Sequence, residues 1–232
     1  MPELYDLCIE AAADDVAVAL ARRGSVLRSI EWNGHQAQSV TLLPNTERLL
    51  GEADADKSAV GAVLVDIGPG GYAGLRVGVS IAKALAHALG VPIAGVGRLE
   101  LDAWLVRETA GERRIVAAHR AGRGELAWAA YHAAGDGMRE ESAPRIEKLP
   151  EIGPQLRAGD VVTGDAAAIE ELSARAGHVG ATVVLPTAHR VVALAAVGRA
   201  RLDAGRADDL TALVPLYLRG PAIGPRRADA GA

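Results

Sequence analysis

Apolar residues follow two rhythms along the chain. Residues 4–10, 15–21 and 25–32 are short alternating or aliphatic runs parted by turns at 11–14 (AAAD) and 22–25 (RRGS), which predicts a three-strand meander. Residues 37–50 then take a helical period, with Leu42, Leu43, Thr46, Leu49 and Leu50 on one side and Pro44 inside, where a bend is expected. Residues 62–67 read as a buried strand. It ends in the glycine-rich turn Gly68-Pro69-Gly70-Gly71-Tyr72-Ala73-Gly74, which opens into a helix reaching Leu89, closed by Gly90 and Pro92. A short strand at 91–96 and a helix at 100–106 follow.

The second half repeats this order without repeating the sequence. Strands are expected at 115–119, 125–132 and 138–146, a short helix at 150–156, a strand at 160–163 and a helix at 166–176. A strand at 182–185, a long Ala- and Val-rich helix at 189–204 and an extended piece at 215–218 complete it. The polar stretch 107–114 around Gly111 is the expected boundary. It divides an N-terminal lobe (1–108) from a C-terminal lobe (109–219), whose last helix can pack back on the first lobe. The Gly-, Pro- and charge-rich tail 220–232 is expected to be disordered. Two successive β-β-β-α-β-α units predict an α/β fold of two ribonuclease-H-like lobes, the architecture of the actin, sugar-kinase and heat-shock-chaperone ATPase superfamily. Such an analogy of fold does not fix a function.

Composition narrows the classes. The 232 residues are 50% hydrophobic but only 3% aromatic, with no Phe, so the core must be built from Ala, Val, Leu and Ile. A net charge of −4, with only three lysines (Lys57, Lys83, Lys148), gives no broad nucleic-acid footprint. Cys8 is alone in an apolar run, which excludes a disulfide framework and a cysteine zinc site. No run is long enough to span a bilayer and no N-terminal signal is visible, so a soluble cytoplasmic protein is expected.

The helix after the glycine turn is too apolar for a surface helix. Arg76, Ser80, Lys83 and His87 form a narrow polar stripe. Gly74, Gly78, Ala82 and Ala86 form a small-residue row beside Leu75, Leu85 and Leu89, while Val77, Ile81, Ala84 and Ala88 fill a further flank. An interior helix of a large core accounts for this. So does a subunit interface, in which the small row lets a partner helix approach closely.

Phosphate chemistry is thinly supported. Gly68 to Ala73 fits G-x-G-x-x-A, but no acid lies about twenty residues on to hold a ribose, and Gly74-Leu75-Arg76 excludes an ATP P-loop. Where the superfamily places two acid-bearing phosphate hairpins, this chain has Glu10-Ala11-Ala12-Ala13 and His119-Arg120-Ala121-Gly122. One of the two acids is missing, which leaves a poor site for a magnesium nucleotide. Glu10 then reads as a solvated strand end, and His119, Arg120 and Arg123 as a solvated turn. The six histidines show no H-x-x-x-H spacing, and G-x-S-x-G is absent. No catalytic residue, metal site or cofactor is therefore assigned.

The run Gly68-Pro69-Gly70-Gly71-Tyr72-Ala73-Gly74-Leu75-Arg76-Val77-Gly78 resembles the signature of the TsaB (YeaZ-like) family, roughly GPGSFTGLRIG. Leu42-Leu43-Pro44, residues 82–86 (AKALA), residues 91–96 (VPIAGV), Gly124-Glu125-Leu126 and residues 215–219 (PLYLR) match the same family in the same order. The motif residues are Gly68, Pro69, Gly70, Tyr72 and Arg76. The resemblance implies a non-catalytic dimerisation subunit that activates a TsaD-like catalytic subunit. With a TsaE-like ATPase, that complex transfers a threonylcarbamoyl group to the adenosine beside the tRNA anticodon. It further implies self-pairing when the chain is alone, and ATP or ADP at a subunit interface is the one nucleotide site it leaves open. The expected partner surface lies on two lobe-one helices: Leu42, Leu43, Thr46, Leu50, Gly74, Leu75, Gly78, Val79, Ala82, Ala86 and Leu89. A small ATP-dependent kinase or hydrolase of the same fold is the alternative; a peptidase lacks a visible nucleophile or metal site. The chain departs from the family pattern at Glu10, Gln38, Val40 and His119. Val40, which replaces an acid, makes the first helix more apolar.

Overall fold

The computed structural model describes residues 4–34, 37–135 and 137–219. The expected tail 220–232 lies outside the described residues. Two five-stranded mixed sheets share one plan. The first holds β1 (Tyr5–Glu10), β2 (Asp15–Arg22), β3 (Ser25–Asn33), β4 (Val60–Gly68) and β5 (Ile93–Gly97) in the order β3-β2-β1-β4-β5. The second holds β6 (Ile115–Gly122), β7 (Glu125–Ala134), β8 (Gly137–Lys148), β9 (Val161–Gly164) and β10 (Thr182–Val183) in the order β8-β7-β6-β9-β10. In each, an antiparallel meander gives way to parallel pairing, with Ile9 opposite Val65 and Val116 opposite Val162.

The helices are α1 (Gln38–Glu52), α2 (Tyr72–Leu89), α3 (Arg98–Leu105), α4 (Arg107–Ala110), α5 (Leu149–Ile152), α6 (Ala166–Val179) and α7 (Arg190–Asp203). Most elements fall within a few residues of the sequence pattern. The extended piece at 215–218 forms no strand, but Leu216 N–H donates to Ile67 O at 2.7 Å beside the first sheet. Stretch 107–110 is helical and carries α3 onward, because Val106 and Ala110 have a sheet to bury against.

Strand alternation decides which helix each sheet face takes. Leu7, Ile9, Val63 and Val65 face α1 and α2, with Leu42, Leu49, Val79, Ala82 and Ala86. Their neighbours Cys8, Leu64, Ala94 and Val96 point the other way and are covered by Val191, Leu194, Ala195 and Val197 of α7 and by Leu101 of α3. On the second sheet, Val116, Trp128 and Val162 pack on Ile169, Leu172 and Ala176 of α6. Ile115, Ala117, Ala129 and Tyr131 pack on Leu99, Ala103, Val106 and Ala110. The two halves thus exchange helices: α3, from the first half, covers the second sheet, and α7, from the second half, covers the first. Together they form the layer between the sheets. Arg190 Nε of α7 donates to Asp102 Oδ1 of α3 at 2.7 Å, with Asp102 fully buried. Gly198 lets α7 settle on Leu64, whose Cδ atoms would stand 2.9 Å from a Cβ at that position.

Among the described residues, no helix is long and apolar enough to cross a membrane.

Candidate functional site

The C-terminal ends of β1, β4 and β6 meet at a cleft of about 880 Å³ between the sheets. Its walls include residues 11–14, the glycine turn 69–74, Arg98, His119 and residues 216–219. The glycine turn is docked on the end of β1. Gly71 N–H donates to Ala12 O at 2.9 Å, and a Cβ on Gly70 would overlap that same carbonyl. Gly68 stands at φ 95° ahead of a cis bond to Pro69. These constraints, and not a phosphate, explain the glycines at 68 and 70. Tyr72 and Tyr217 stack at the cleft with ring centroids 4.9 Å apart, and Arg76 lies over Tyr72.

Behind the cleft lies a buried polar cluster. Glu10 is fully buried, contrary to the expectation of a solvated strand end, because residues from both halves close over it. Its Oε1 accepts Ala12 N–H at 3.1 Å, and Asp66 stands near it on the adjacent strand β4. Burial, then repulsion from Asp66, holds the Glu10 carboxyl well above the usual carboxylate range; burial raises Asp66 to about 6. Asp66 Oδ1 also accepts Gly68 N–H at 2.7 Å. His189 Nδ1 accepts Val191 N–H, which leaves its Nε2 3.3 Å from Asp15 and 3.7 Å from Glu10. His119 is only 4% exposed, which likewise corrects the solvated-turn reading. Its Nδ1–H donates to Arg120 O at 2.9 Å, and burial, then the Arg98 charge, lowers its pKa to about 4. Arg98 is 7% exposed, with its ion pair to Asp165 stretched to 3.8 Å. Arg120 pairs with Glu171 at 3.0 Å, and Arg219 with Glu125. Among the described residues, no group of three or more His, Cys, Asp or Glu is placed to hold a metal.

The expected partner residues divide in a way that corrects the sequence reading. Gly74, Leu75, Gly78, Val79, Ala82 and Ala86 are buried in their own lobe. A Cβ on Gly74 would come within 2.5 Å of Ala11 O, and one on Gly78 within 3.0 Å of Ala11 Cβ. The close approach that Gly74 and Gly78 permit within this chain is to Ala11, just past the end of β1. Leu42 and Thr46 are buried too; Thr46 Oγ1 donates to Leu42 O at 2.9 Å. Leu50 and Leu89 are half-buried against the same core. Leu43, at 44% exposure, faces outward, and so do Tyr72 and Arg76 of the motif.

The outward face of the helix pair is carried by other positions. On α1 it shows Val40, 70% exposed, with Leu43 and Pro44; on α2 it shows Ala73, Arg76, Ser80 and Ala84. The signal for it was present: Val40, Leu43 and Glu47 are one helical face, and Ala84 belongs to the flank opposite the small row.

Comparison with known proteins places this geometry. The family model described as TsaD, tRNA N6-adenosine threonylcarbamoyltransferase, matches residues 33–163. An uncharacterized protein of Mycobacterium tuberculosis is 32% identical over 222 residues, 94% of this chain and 93% of its own. The tRNA threonylcarbamoyladenosine biosynthesis protein TsaB of Escherichia coli is 29% identical over 146 residues, 63% of each chain. The solved structure of YeaZ from Pseudomonas aeruginosa superposes with a TM-score of 0.76 at 26% identity, over 93% of this chain and 100% of that one. Two lobes of one plan, a glycine turn locked onto the first strand and this set of relatives lead to one conclusion: the chain belongs to the TsaD family, among its TsaB (YeaZ-like) members.

Proposed function

We propose that this chain is the non-catalytic partner of a TsaD-like catalytic subunit in tRNA threonylcarbamoyladenosine biosynthesis, and that it docks through the outer face of α1 and α2. The observation that carries the reading is the apolar exposure of Val40 and Leu43, one helical turn apart, beside the outer side of α2. Aliphatic side chains left in water on adjacent turns gain from a partner that covers them. The relatives named for this tRNA modification supply the pathway. The buried state of Glu10 supports a non-catalytic role. Its carboxyl is fully buried behind the cleft wall, where Oε1 accepts Ala12 N–H, and is not offered to a metal or substrate in the cleft.

A TsaE-like ATPase joins the same assembly on this reading, and the free chain pairs with itself through the same face. Size-exclusion chromatography with light scattering tests it, on the chain alone and mixed with the TsaD-like protein of the same organism. A one-to-one complex that Leu43→Asp abolishes is the expected result. No association, with or without nucleotide, would remove the function and leave the fold standing.

A further inference from the structure

Residues 208–219 follow α7 and belong to neither sheet, yet they hold on to both halves of the molecule. From 208 to 217 the hold is on the first. Asp208 caps the free edge of β5: its N–H donates to Ile93 O at 2.9 Å, and its Oδ2 accepts Gly95 N–H at 2.7 Å. Leu213 is buried in the core of the first sheet, and its carbonyl accepts Lys83 Nζ of α2 at 2.8 Å. Leu216 N–H donates to Ile67 O, and Tyr217 stacks on Tyr72. Residues 216–219 then form part of the cleft wall. The end of the stretch reaches the second half. Arg219 Nη2 pairs with Glu125 at the start of β7, and its Nη1 donates to Ala121 O near the end of β6 at 3.4 Å.

The two attachments differ in kind. The first joins backbone hydrogen bonds to a buried leucine, and it comes apart only with the packing of the first lobe. The second is a single side chain. Arg219 is 34% exposed and Glu125 24% exposed, so water and salt screen the pair. The layer of α3 and α7 already joins the halves; the strap joins them a second time, across the cleft. Two packed bodies tied in this way can hinge, and the tie yields at its lightly held end first.

We propose that residues 208–219 are a strap that clasps the cleft, with the Arg219–Glu125 pair as its catch. Release of that pair lets the halves part and exposes the inner wall of the cleft. The catch ties the strap to the second half and not to the helix pair, so the proposal stands whether or not a protein docks on α1 and α2.

The test uses the full chain and its cysteine content. Cys8 is the single cysteine, fully buried on the face of the first sheet that α7 covers. Ala127 of β7 lines the cleft and is 1% exposed. In an Ala127→Cys chain, the rate of maleimide labelling at 127 reads the parting of the cleft. The rate at Cys8, followed in the same sample by peptide mass spectrometry, reads unfolding of the first lobe. Addition of Arg219→Ala or Glu125→Gln is expected to raise the rate at 127 by up to about 5-fold, the worth of a partly exposed ion pair, with the rate at Cys8 unchanged. Exchange of the charges, Arg219→Glu with Glu125→Arg, is expected to bring the rate back toward that of the parent chain. A rate at 127 that neither single variant moves overturns the proposal. So does a rise matched at Cys8, because the variants have then loosened the fold and not the clasp. A charge exchange that labels as fast as the single variants overturns it as well.

Discussion

Leu42 and Leu43 are adjacent on α1, yet the structure assigns them opposite consequences. Leu42 is fully buried among the first sheet's core residues, whereas Leu43 is 44% exposed and Val40 70% exposed. Leu42→Ala opens a cavity and is expected to cost about 2–5 kcal/mol, which lowers the melting temperature by roughly 5–20 °C in a chain of this size. Leu43→Asp and Val40→Arg are expected to move stability by less than about 0.5 kcal/mol, as surface changes do. Their effect falls on partner binding. Covering the exposed share of each side chain, at about 1.5–3 kcal/mol for complete burial, makes the two worth about 2–3 kcal/mol, or roughly 30- to 150-fold in Kd. A charge in the interface adds its desolvation cost. Calorimetric titration against the TsaD-like protein, with thermal melts of every variant, separates the two consequences. If Leu43→Asp binds like the unaltered chain, or melts as low as Leu42→Ala, the assignment of the outer face is refuted.

Three further outcomes follow from the interior. Gly70→Ala places a Cβ on the Ala12 carbonyl and should cost about 1–3 kcal/mol in urea denaturation, since that neighbour is backbone and cannot swing aside. Arg190→Met leaves Asp102 charged and alone in the layer between the sheets, at about 3–5 kcal/mol; the double change with Asp102→Leu should recover most of that loss. The lowered pKa of His119 predicts a folded state that binds fewer protons than the unfolded one between its ordinary value of 6.5 and about 4. This contribution is complete above pH 6.5 and is lost on acidification through that window, by at most about 3 kcal/mol. Glu10, with its raised pKa, acts in the opposite sense, so the comparison is between the unaltered chain and His119→Gln at pH 4.5, 5.5 and 7. A difference that does not narrow toward low pH would contradict it.

The strands were legible because they alternate, and the two-lobe plan because the order of elements repeats. The destination of each face was not legible. Gly74, Gly78, Ala82 and Ala86 announce a close approach, but a small-residue row fits a neighbouring strand as well as a partner helix, and the sequence does not name the neighbour. The same gap hid the crossing of α3 onto the second sheet. Residues 98–105 (RLELDAWL) are apolar on more than one side because they touch both sheets, which a periodicity cannot assign to either. Glu10 ends its strand and His119 ends the apolar run of its own, where polar residues are normally wet. What buries them, Arg98, His189 and Arg190, arrives from α3 and from the start of α7, distant in sequence.

The exchange of helices also bears on how the chain is made. One face of the first sheet, with Cys8, Leu64, Ala94 and Val96, has its main cover in α7, at residues 190–203. During synthesis the strands of that sheet are complete by residue 97, about a hundred residues before their cover leaves the ribosome. At roughly 5–20 residues per second that interval is on the order of 5–20 s. For that time the nascent chain carries a finished sheet with a bare aliphatic face. A chain cut short before α7 would keep that face bare for good, so premature termination should yield an aggregating product and not a free N-terminal lobe.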